Sequence, residues 1–145
     1  MKRHWTWCGL MVALMTAGTE GCSDAQTKKT KIPWKTSLQS ALAEAKKTGK
    51  PIMVDFHATW CPPCHLLDKD TFSNAAVIKE ASKWVPLKID VDTSPKLAEK
   101  YKVTAMPTIA FLKPDGSIAT SFVGYVEPAG MLKTMKSAYG QARKK

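Results

Sequence analysis

Cys61 and Cys64 flank two prolines in Trp60-Cys61-Pro62-Pro63-Cys64. Thiol–disulfide exchange needs an attacking thiolate and a second thiol within reach to resolve the mixed disulfide it forms, and the Cys-x-x-Cys spacing supplies both. If the motif opens a helix, the first sulfur lies at the positive end of the backbone dipole, where a thiolate is favoured. Pro62 and Pro63 suit that first turn, because their missing N–H groups would have no helical partner there. This reading makes Cys61 the exposed nucleophile and Cys64 the more buried resolving thiol. Trp60 offers an apolar surface to a substrate chain, or simply packs beside the turn. Six residues before the nucleophile, Asp55 interrupts the apolar run Ile52-Met53-Val54-Asp55-Phe56. A carboxylate inside a buried strand is costly unless it serves something. Desolvation would raise its proton affinity and suit it to accept the proton of Cys64; the plainer alternative is a hydrogen-bonded packing role.

Two other chemistries fit some of these residues. Cys61-Pro62-Pro63-Cys64-His65 matches the Cys-x-x-Cys-His attachment motif of a c-type haem. That motif belongs in a mostly helical wrap, whereas here it follows a strand-like run and precedes further strand patterns. A soft-metal module built from Cys61, Cys64, a histidine and some of the seven methionines is the other rival. No second cysteine pair exists to complete a structural zinc site, so neither a metal nor a cofactor is expected.

The elements that must position the pair are readable from periodicity. Leu38, Ala41, Leu42 and Ala45 follow helical spacing, with Thr36 or Ser37 as N-cap and Gly49-Lys50-Pro51 as the stop. Ile52 to Phe56 reads as a central strand covered on both faces, which delivers the chain to the cysteines. Helix resumes through Leu66 and Leu67, and another begins at Ser73 with Ala76, Val77 and Ala81 inward. A strand from Val85 to Val91, a short helix from Pro95 to Tyr101 and a strand from Thr108 to Leu112 follow. Pro114-Asp115-Gly116-Ser117 is a hairpin turn into a strand from Ile118 to Val123, and a helix from Pro128 to Ala142 closes the chain. The order β, α, β, α, β, β, α predicts an α/β fold, a mixed sheet with helices on both faces.

At 145 residues, one domain and one modest core are all the chain can build. Lys2 and Arg3 precede an apolar run from Trp5 to about Ala17, the pattern of an export signal and too short for a bilayer span of roughly 20 residues. Residues 1–22 are therefore read as an export signal and 23–33 as a polar tether, with the protein working outside the cytoplasm, periplasmic or membrane-anchored. Cys22 stands where a lipoprotein cysteine would receive its lipid anchor; the alternative is cleavage after Ala25, with Cys22 incidental. Of the four cysteines, only Cys61 and Cys64 belong to the folded part, so no disulfide framework is available for stability. The formal charge of +10 gathers at Lys28-Lys29-Thr30-Lys31 and Arg143-Lys144-Lys145 and is otherwise scattered, which argues against a nucleic-acid partner.

Val54-Asp55-Phe56-His57-Ala58-Thr59-Trp60-Cys61-Pro62-Pro63-Cys64, then Lys88, then Thr104-Ala105-Met106-Pro107-Thr108, then Val123-Gly124, resembles thioredoxin in order and spacing over about residues 34–142. Leu67-Asp68-Lys69-Asp70-Thr71-Phe72-Ser73-Asn74 is more similar to the C-terminal thioredoxin-like domain of DsbD, the membrane thiol reductase, and to small exported relatives of it. The resemblance implies a thioredoxin fold and a thiol–disulfide oxidoreductase acting on protein thiols or disulfides. A reductase is the expected direction, because a buried Asp55 that accepts the Cys64 proton serves the resolving step, and outside the cytoplasm a reductant needs a DsbD-type membrane electron donor. A monomer is expected. The resemblance also implies that Pro107 is cis, faces the cysteines and presents the backbone of Met106 to an extended substrate. Asp55 matches the buried acid of the family, and Lys88 a lysine near that acid. His57 departs from the tryptophan and His65 from the lysine that thioredoxin carries; either could stabilise the thiolate or answer to pH, or have no role.

Overall fold

In the computed structural model, which describes residues 31–143, Ser37 caps the first helix, α1 (Leu38–Thr48), its side chain accepting from the Ser40 N–H. The helix ends at Gly49, whose N–H returns to the Ala45 carbonyl. The chain then enters β1 (Ile52–His57), buried at every position but the last. After the cysteine turn come α2 (Pro62–Leu66) and, without a break, a π-helical turn over Leu67–Thr71. Its wider ring, closed by the Phe72 N–H on the Leu67 carbonyl, brings Leu67, Thr71 and Phe72 to the buried side together. Such turns recur at functional sites. The remaining elements are α3 (Ala75–Ala81), β2 (Val85–Asp90), α4 (Pro95–Lys100), β3 (Thr108–Leu112), β4 (Ile118–Val123) and α5 (Pro128–Ala142).

The sheet runs β2-β1-β3-β4, with β1 parallel to β2 and antiparallel to β3, and β4 antiparallel to β3. Alternation along β1 sends Ile52, Val54 and Phe56 to one face, where Ala41 and Ala45 of α1 and Leu87 of β2 enclose them. Met53 goes to the other face, with Phe111 of β3, Trp84, and Met131 and Met135 of α5. The mixed sheet covered by helices on both faces is the expected α/β architecture, with β1 and β3 as its two inner strands. The β3–β4 turn needs Gly116 for its φ of +89°, and an added Cβ would also come within 2.9 Å of Leu42 Cδ2, which would have to shift.

One local expectation is corrected. Helix α3 begins at Ala75, not Ser73, and Asn74 caps it by accepting from the N–H groups of Ala76 and Val77. Ile78 joins Val77 and Ala81 on the buried side, while Ala76 is exposed. Ahead of α1, Ile32 is buried in the core and Lys35 bridges to Leu87 at the outer edge of β2. The export signal, Cys22 and most of the tether lie outside the described residues.

Candidate active site

Strand β1 ends at His57, and a turn closed by the Cys61 N–H on the Ala58 carbonyl sets Cys61 at the N-cap of α2. There it is joined to Cys64, Sγ to Sγ at 2.11 Å, with the Cα atoms 5.3 Å apart. The Cys64 N–H points at Cys61 Sγ, 3.3 Å away, so the sulfur receives a helix-terminal donor as the spacing suggested. The expected contrast in burial is not found: both cysteines are 3% exposed. In the bonded state each covers the other, and Ala58, Val91 and Met106 pack around them. Met106 leads into a cis peptide bond to Pro107, and the Pro107 carbonyl accepts from the Gly124 N–H at 2.8 Å. Gly124 has φ +99°, a backbone that other residues rarely adopt. The sheet thus brings Met106-Pro107 to the cysteine pair across more than forty residues of chain, at the end where β1 and β3 lie side by side.

Trp60 is 63% exposed, and its indole is not loose: Nε1–H donates to Asp92 Oδ2 at 2.8 Å. Asp92, in the loop after β2, was not singled out by sequence, since nothing local marks an acid that acts across 32 positions. His65 is exposed, with Nε2 2.8 Å from the Thr59 carbonyl. A carbonyl only accepts, so Nε2 carries the proton and donates. The nitrogen a haem iron would require is thereby engaged with the backbone. Among the described residues no group of three or more His, Cys, Asp or Glu side chains is arranged to hold a metal ion.

Asp55 is 1% exposed on β1 and faces Lys88, its register partner on β2, at 2.8 Å from Oδ2 to Nζ. The same Nζ reaches Asp68 Oδ1 at 2.5 Å. The rings of Trp34 and Phe72 flank it at 5.5 and 5.9 Å. Lys88 is therefore not the solvated surface lysine it could have been. Asp68 is the member sequence reasoning left without a role; its place four residues after Cys64, on the same helical run, was the available signal. Asp55 Oδ1 is buried with no hydrogen-bond partner. Burial pushes the Asp55 carboxyl up, Lys88 draws it part of the way back by charge and hydrogen bond, Asp68 adds to the rise and His57 subtracts from it; the net direction is upward. Burial works against the Lys88 charge, but Asp55 first and then Asp68 outweigh it and hold the ammonium above its ordinary 10.5. A buried carboxyl of raised proton affinity with one free oxygen takes up a proton more readily than an exposed one.

Residues 38–139 match a family model described as a thioredoxin-like domain. Thioredoxin H-type from Oryza sativa subsp. indica is 40% identical over 94 residues, which is 62% of this chain and 70% of that one. Among solved structures, a thioredoxin from Thermus thermophilus superposes with a TM-score of 0.67 at 27% identity, covering 74% of this chain and 86% of that one. The oxidised DsbD C-terminal domain of Neisseria meningitidis superposes with a TM-score of 0.63 at 21% identity, covering 69% and 90%, a likeness of fold.

Proposed function

Because the chain belongs to the thioredoxin-like family and is a thiol–disulfide oxidoreductase, we propose that it works outside the cytoplasm as a reductase of protein disulfides. In its catalytic cycle the Cys61 thiolate attacks a substrate disulfide, forming a mixed disulfide and expelling one substrate sulfur as thiolate. Asp55 takes the proton of Cys64, whose sulfur then attacks Cys61 Sγ. The second substrate thiolate leaves, two electrons have passed to the substrate, and the Cys61–Cys64 disulfide remains. Trp60, Met106 and Pro107 form the surface on which the substrate chain lies. The oxidised pair is restored by a dithiol donor, for which a membrane protein of the DsbD kind fits a location beyond cytoplasmic reductases.

The observation that carries the direction is the modest support around Cys61 Sγ. Among the described residues it accepts from the Cys64 N–H alone, Pro62 and Pro63 have none to give, and the His65 donor is spent on Thr59. Strong oxidants of this chemistry stabilise the thiolate of the reduced form, and little here does so. Equilibration of the Cys61/Cys64 couple against glutathione buffers tests it: a potential near that of thioredoxin, about −270 mV, is expected, and one near about −120 mV overturns the reading. Export rests on Lys2, Arg3 and the apolar run to Ala17, with Cys22 as the candidate lipid acceptor. Mass spectrometry of protein from its native cell should show Met1 to Ala17 removed; an intact N-terminus on soluble protein refutes it.

A further inference from the structure

Thr59 and Trp60 stand directly before the nucleophile, and neither makes a backbone–backbone hydrogen bond to any described residue. The turn they form is closed only at its ends, from the Cys61 N–H to the Ala58 carbonyl at 3.2 Å. Two side chains hold the middle: Asp92 takes the Trp60 indole N–H, and His65 Nε2 donates to the Thr59 carbonyl at 2.8 Å. The second bond differs in kind. It runs from α2 back over the Cys-x-x-Cys segment and joins the helix bearing Cys64 to the loop bearing Cys61.

We propose that His65 is a positioning residue whose bond to the Thr59 carbonyl holds the nucleophile loop against α2 in the dithiol state and so sets the poise of the couple. In the disulfide state the Sγ–Sγ bond already ties the loop to α2, so the histidine bond forms there without having to order the loop itself. On reduction the covalent tie is gone, and the same bond must offset the ordering of a looser loop, so it contributes less to the dithiol. An interaction that contributes more to one of two states shifts the equilibrium toward it. His65, by keeping the dithiol loop in place for closure, therefore favours the disulfide. The inference rests on the redox chemistry of the pair and not on its direction.

The test equilibrates protein disulfide plus two glutathione thiols with protein dithiol plus glutathione disulfide, a balanced two-electron exchange. Its variants are His65→Ala, which loses the donor, and His65→Gln, whose amide can donate to the same carbonyl. His65→Ala should move the equilibrium about three- to tenfold toward the dithiol, which at 29.6 mV per tenfold is about 14 to 30 mV more oxidising. His65→Gln should stay within about twofold of the parent, and the Tm lost by His65→Ala should be larger in the oxidised protein than in the reduced. An unchanged equilibrium in His65→Ala overturns the proposal. So does His65→Gln behaving as His65→Ala, which would assign the effect to imidazole charge, or an equal Tm loss in both states, which would mark an ordinary stability role. A parent couple near about −120 mV would defeat the reductase reading while leaving the differences among variants to decide His65.

Discussion

Replacing Lys88 by methionine removes the cation shared by Asp55 and Asp68 at nearly constant side-chain length. Asp55 is left 1% exposed with neither oxygen paired, since Oδ1 already lacks a partner and Oδ2 loses its contact at 2.8 Å. Truncating one side of a buried ion pair costs about 3–5 kcal/mol when the remaining charge stays. Asp68 is 42% exposed and is rehydrated at little cost, and Lys88 itself is 17% exposed, so the deficit at neutral pH should lie toward the lower end, about 2–4 kcal/mol. The pH dependence is the sharper part. A carboxyl raised above its ordinary 3.8 makes the folded state hold more protons than the unfolded one, so stability falls as pH climbs from 3.8 through the folded value. Without Lys88 that window extends further upward. The deficit of Lys88→Met relative to parent should therefore be small near pH 4.5 and grow toward pH 8. Urea unfolding of the oxidised proteins at pH 4.5, 6, 7 and 8 reads it directly, and adding Asp55→Asn should remove most of the pH dependence. A deficit constant with pH, or larger in acid, would refute this account of the Asp55–Lys88 pair.

Cys61→Ser should abolish disulfide reduction while Cys64→Ser accumulates a mixed disulfide with substrate, visible by non-reducing electrophoresis; normal turnover by Cys61→Ser would sink the mechanism. Asp55→Asn should slow resolution of that mixed disulfide by about 100-fold, the low end of what a positioned proton acceptor contributes, without slowing its formation comparably; single-turnover kinetics separate the two steps. In the parent, the stability due to Lys88 is present below its ordinary 10.5 and should be lost as pH rises beyond that value, followed by far-ultraviolet dichroism during alkaline unfolding. Phe111→Ala empties a fully buried site packed against Trp84 at 4.9 Å and should cost about 3–5 kcal/mol in urea unfolding.

The sequence by itself determined most of what is local. Apolar spacing located α1, α4, α5 and the four strands to within a residue or two, because periods of 3.6 and 2 follow from backbone geometry. The two cysteines announced their chemistry because it needs only short-range spacing, and a carboxylate inside an apolar run was conspicuous for its desolvation cost alone. Where a local signal competed with another, it could mislead: Ser73 and Asn74 are both capping residues, and only the packed chain decided which one accepts the N–H groups of α3. Tertiary structure alone decided what depends on distant segments meeting. Equal burial of the cysteines follows from Val91 and Met106 closing over them. The Trp60–Asp92 bond spans 32 positions, and the Lys88 bonds to Asp55 and Asp68 span 33 and 20. The partner of a charged or polar side chain is set by where strands and helices dock, and the short-range pattern of the chain carries no record of that.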